Sequence, residues 1–93
     1  MRTLEEQRAL VVVTYFVVLG FKLGKGGLFI ADEPKEIHGG EEQCRSAARR
    51  IKAERDGVVA FSRSGNPATG DWDDAVVIWQ DGVVPDDVLA MAS

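Results

Sequence analysis

The sequence predicts a small α+β domain of order β-β-α-β-β. A four-stranded, mainly antiparallel sheet would carry one helix, at about residues 41–55, on one face. Three observations carry that expectation. VVVTYFVVL, residues 11–19, is dense in β-branched and aromatic side chains, which suit a pleated strand better than a helix. KLGKGG, Lys22–Gly27, sets three glycines within four residues between two apolar runs, as a hairpin turn would. Only Glu41–Arg55 repeats its apolar residues at the spacing of an amphipathic helix.

Taken in order, Thr3-Leu4-Glu5-Glu6 matches a capping box and predicts a short helical turn over 3–8. In the first strand, alternation puts Val11, Val13, Tyr15, Val17 and Leu19 on one face and Val12, Phe16 and Val18 on the other. Such a two-sided strand belongs in the centre of a sheet, or its second face is covered by a partner chain. LFIAD then makes the second strand, so 11–31 reads as a hairpin. Asp32-Glu33-Pro34 ends it, and Lys35-Glu36-Ile37 extends the pairing beyond a bulge at the proline.

Gly39-Gly40 punctuates the chain before the helix. Cys44, Ala47, Ala48 and Ile51 form its buried stripe, small enough to let it sit close to a sheet. Glu41 and Glu42 open it and Arg49, Arg50, Lys52 and Arg55 come late, an order that suits the helix dipole. Glu41–Arg45 and Arg50–Glu54 are favourable pairs four residues apart. Gly57 fits the left-handed position that closes a helix.

Val58–Phe61 and Ala75–Trp79 are the third and fourth strands, with Trp79 in phase with Val77 and Ala75 as a core residue. FSRSGNPATGDWDD, Phe61–Asp74, joins them. Its link of about ten residues exceeds the two to five that a hairpin needs. Asn66-Pro67 and Thr69-Gly70 give it two internal turns, and Arg63 at its mouth is placed to bond Asp71 or Asp73. After Asp81-Gly82, VVPDDVLAMA predicts a short helical turn with Pro85 at its start and Asp86 and Asp87 in its first turn.

At 93 residues the chain reads as one domain, 1–93. It is 45% hydrophobic and 28% charged, which are globular values and argue against wholesale disorder. The single cysteine, Cys44, rules out an intrachain disulfide, and with the single His38 it falls short of the four ligands of a zinc site. The longest apolar run, Ala9–Leu19, is far short of the ~20 residues that span a bilayer. Glu5 and Glu6 ahead of it do not suit a signal peptide. These features point to a cytoplasmic protein with no membrane association and a reduced Cys44. The net charge of −4 is uneven: residues 1–63 hold all 11 Lys and Arg against 9 acids, while 64–93 hold 6 acids and no cation. That balance argues against a dedicated nucleic-acid binder.

Motif by motif, the chemistry is sparse. GFKLGKGG misses the phosphate-loop spacing, is followed by no Ser or Thr, and leads into a strand. His38 and Cys44 are near in sequence, but Cys44 sits on the apolar stripe, where a thiol is inert. Asp71, Asp73 and Asp74 lack the calcium-loop frame and read as solvated acids at a strand entrance. Arg45, Arg49 and Lys52 share a helix face with no aromatic residue to stack a base. No motif calls for a cofactor.

Residues 57–79, GVVAFSRSGNPATGDWDDAVVIW, resemble the signature of a family of small uncharacterised bacterial proteins. Those share a short strand, an AFSR-x-G-x-P-x-TG loop and a following VV strand. The Ala/Arg helix and the VPDD ending are also similar, so the resemblance covers most of 10–88. It implies no site roles. GGLFIADEPKEIHGGEEQCRSAARRI is more faintly similar to the HicB-type antitoxins in its hairpin, proline, glycine and helix, but lacks their glycine–threonine spacing ahead of the helix.

The favoured expectation is a non-catalytic protein-interaction module with an unidentified protein partner. Because one helix covers one face, it would be a homodimer or have its second face covered by a terminal segment. Trp72, Tyr15 and Phe16 are its interface candidates. The alternative is a binder of a small anion or ligand through Ser62, Arg63, Ser64, Asn66, Thr69 and Asp71. A HicB-like regulator comes next. An enzyme is the least supported class, with one histidine, one cysteine and no catalytic motif.

Overall fold

The computed structural model describes residues 12–91, so the capping box at 3–8 lies outside the described residues. The fold is α+β. Its strands are β1 (Val13–Leu23), β2 (Phe29–Ala31), β3 (Lys35–Ile37), β4 (Gly57–Asn66), β5 (Asp71–Trp72) and β6 (Val76–Gly82). The helices are α1 (Glu41–Lys52) and a short α2 (Asp86–Met91).

The spine of the sheet is the antiparallel pair β1–β4, in register from Val13↔Gly65 to Phe21↔Gly57. Both β2 and β3 pair with the outer edge of β1. Both β5 and β6 pair with the outer edge of β4. Among the described residues the sheet therefore has six strands where four were expected, because each outer strand is broken in two. One break falls at Pro34, which has no N–H to give to a ladder. The other falls at residues 73–75. A bulge in β6 skips Ile78, since Ala60 pairs with Trp79 and Phe61 with Val77.

Alternation along β1 and β4 sorts the two faces. Val18, Val58 and Ala60 turn toward α1 and are buried with its Cys44, Ala47 and Ala48. Phe16, Ile37, Ile51, Ile78 and Trp79 pack around that core. The small helix side chains allow a close approach, and so does Gly20, where a Cβ would meet Ile51, Asp32 and the stem of Arg55. At the hairpin tip Gly26 and Gly27 take left-handed φ of 72° and 77°, and the N–H of Gly24 donates to the Leu28 carbonyl at 2.7 Å.

The helix ends at Lys52 and its last carbonyls are met by the N–H groups of Ala53, Glu54 and Arg55, so no glycine closes it. Gly57 instead begins β4 and is absent from the left-handed glycines among the described residues. The link 64–73 is likewise no long loop. Strand β4 runs on to Asn66, whose carbonyl accepts from the N–H groups of Thr69 (3.3 Å) and Gly70 (2.9 Å), closing a turn over residues 67–70. Strand β5 then returns against Asn66 and Gly65. The polar string Ser62–Gly65 is strand because β1 supplies its ladder partners, Phe16, Tyr15, Thr14 and Val13.

Beyond β6 the chain turns at Gly82, with φ 73°, and the N–H of Val83 donates to the Asp56 carbonyl at 3.0 Å. The Val83 carbonyl packs on Gly57, on the face away from α1. Pro85 precedes α2 as expected, and its carbonyl accepts from Val88 and Leu89. This end of the second face holds the buried Phe21 and Val59. Phe21 also meets Phe29 edge-on at 6.3 Å.

Candidate interaction face

The other end of that face is open. Register puts Tyr15 opposite Arg63, and Trp72 opposite Gly65. A Cβ on Gly65 would collide with the Trp72 ring, so the absence of a side chain lets the indole lie against the strand. The Tyr15 and Trp72 rings stand 5.5 Å apart, tilted by 31°. The Arg63 guanidinium carbon is 5.7 Å from the centre of the Trp72 ring, within cation–π range. Its Nε donates to the Asp73 carbonyl at 3.1 Å. The expected staple thus exists, but it closes on a backbone oxygen and not on a carboxylate. Among the described residues no carboxylate lies within ion-pair distance of Arg63. Tyr15, Val17, Glu36, Phe61, Arg63 and Trp72 together line a shallow groove of about 460 Å³.

The other sequence candidates fall elsewhere. Phe16 is on the α1 face, packed against the core, and does not join Tyr15 and Trp72. Ser62 shares that face, opposite Phe16. The Ser64 hydroxyl lies 2.8 Å from that of Thr14. Asn66 is buried, and its Oδ1 accepts from the Ala68 N–H at 2.9 Å. The Thr69 hydroxyl donates to the Asn66 carbonyl and accepts from the Asp71 N–H. Asn66, Thr69 and Asp71 are therefore stitched into the turn itself. Of the six proposed ligand residues, only Arg63 lines the groove.

His38 is 89% exposed, its Nε2 3.9 Å from Glu36, whereas Cys44 is sealed under α1 at 0% exposure. Burial pushes the Cys44 thiol above its ordinary range; Arg45 pulls it down and Glu41 raises it further, both more weakly. Among the described residues no three His, Cys, Asp or Glu side chains gather as a metal site. Of the helix cations, Arg45 pairs with Glu41 at 3.4 Å and Arg49 with Glu42 at 3.8 Å. Arg50 lines a hollow of about 380 Å³ with Lys35 and Glu54. No helix among the described residues is long and apolar enough to cross a membrane.

No family model, no curated protein and no solved structure matches the chain.

The convergence of Tyr15, Arg63 and Trp72 eluded sequence reasoning because it depends on register. The usable signal was Gly65, a glycine inside a strand. Such a glycine often marks a close approach by another group.

Proposed function

We propose that the protein is a non-catalytic protein-interaction module and that it binds through the face around Tyr15, Arg63 and Trp72. The observation that carries this reading is the Tyr15–Trp72–Arg63 stack over Gly65. Trp, Tyr and Arg are the side chains that dominate interface hot spots. Here they are held in place before binding, which lowers the ordering cost of association. The anion-binding alternative has less support, since Arg63 is the one candidate of its set that lines the groove.

The test is affinity capture from the native host with wild type, Trp72→Ala and a control altered at the far hairpin tip, Lys25→Ala. A specific partner should be held by wild type and control and lost with Trp72→Ala, while circular dichroism shows all three folded. Retention by Trp72→Ala removes the reading. Chemical-shift changes over 61–74 with phosphate, nucleotides or divalent cations would transfer support to the ligand-binding alternative.

A further inference from the structure

We infer, building on the reading of this face as an interaction surface, that its partner is a second copy of the same chain. The groove is self-complementary. Glu36 lies opposite Val17 on the β3 side of β1, and Arg63 lies opposite Tyr15 on the β4 side. Tyr15 and Val17, both on β1, run between the two charges. A two-fold axis along β1, with two sheets face to face, exchanges the β3 and β4 sides. It therefore sets Arg63 of each copy over the β3 side of the other, two residues along from Glu36 and within reach of its long side chain, and stacks the apolar floors on each other. Such reciprocity, in which i meets j and j meets i, is what an isologous interface requires.

The sheet edges are poorer routes to assembly. The β2–β3 edge is interrupted around Pro34, and the β6 edge carries a bulge at Ile78 with Asp73, Asp74 and Asp81 nearby. Broken, bulged and charged edges resist strand addition, whereas a flat face with an apolar floor does not. Six residues line the groove, against roughly 20–30 a side in a standard interface, which places the dimer in the transient class.

Sedimentation between roughly 10 μM and 1 mM tests this, the range in which a micromolar dimer fills. Wild type should move from monomer toward dimer. Glu36→Arg and Arg63→Glu should each weaken the dimer by roughly tenfold or more, because like charges then meet twice per interface. An equimolar mixture of the two variants should dimerise again, since each mixed pair restores both contacts. Glu36 sits on an exposed edge strand, so Glu36→Arg serves as the safe variant if Arg63→Glu unfolds. A wild type that stays monomeric throughout, or a dimer indifferent to Glu36→Arg, overturns the inference. If that happens while Trp72→Ala still loses a captured protein, the second-copy idea falls and the interaction reading stands. If Trp72→Ala loses nothing either, both fall.

Discussion

The carbonyl of Val83 rests against the Cα of Gly57, in the space that a Cβ would fill. This contact holds the C-terminal segment on the second face of the sheet. Because the obstructing atom is backbone, Gly57→Ala cannot be relieved by a rotamer change. Overpacking of this kind costs about 1–3 kcal/mol. A fall in the urea midpoint at unchanged m-value is expected. An unaltered midpoint would mean that the segment from Val83 onward is not anchored there.

Gly65→Ala should displace Trp72. The ring would lose its seat on β4 and its contact with Tyr15, a pair worth about 0.5–1.5 kcal/mol beyond area burial. With Trp79 replaced by Phe, the fluorescence reports Trp72 alone. A red shift and weaker near-ultraviolet dichroism are expected, and an unchanged spectrum would contradict the stack.

Asp32 and Arg55 join the end of β2 to the residues that follow α1, with Nε and Oδ2 2.7 Å apart. The hydrogen bond and the charge of Asp32 hold the guanidinium firmly protonated. Asp32→Ala and Arg55→Ala should each lower the melting temperature, and the double variant should be no worse than the weaker single. Added salt should shrink the difference, since the pair is partly exposed. Full additivity of the two single effects would show that the contact carries no coupling.

Cys44 gives the stability a dependence on alkaline pH. Its folded thiol holds its proton above the ordinary value because burial disfavours the thiolate. Below about pH 8.5 both folded and unfolded thiols are protonated, and this contribution is fully present. At higher pH the unfolded chain releases its proton first and binds fewer protons than the native state. Stability therefore falls as pH rises toward the folded value. Urea melts across that range should show the decline in wild type, and Cys44→Ala should flatten it. Identical slopes would remove the thiol as its source.

The sequence carried much of the fold wherever local chemistry decides. The glycine tip, the α1 stripe of Cys44, Ala47 and Ala48, and Pro85 ahead of α2 all stand where their spacing put them. What it hid depends on pairing. Ser62–Gly65 looked like a loop because its strand character comes from β1. Gly57 looked like a helix stop because its real neighbour, Val83, is far along the chain. The site was half legible for the same reason. The sequence offers Tyr15, Phe16 and Trp72 as interface candidates and Arg63 as a loop staple or ligand residue, and only the β1–β4 register joins Tyr15 and Trp72 to Arg63 while sending Phe16 to the other face.

The β1–β4 spine joins one central strand from each hairpin, with α1 between them in the chain. Isolated two-stranded hairpins are marginal in water, and the pairing that unites them closes a long loop before it yields any contact. Neither half should fold alone, and refolding should be slow for so small a chain. Two fragments cut after α1, mixed in solution, should instead reassemble each other, since each supplies the strand the other lacks.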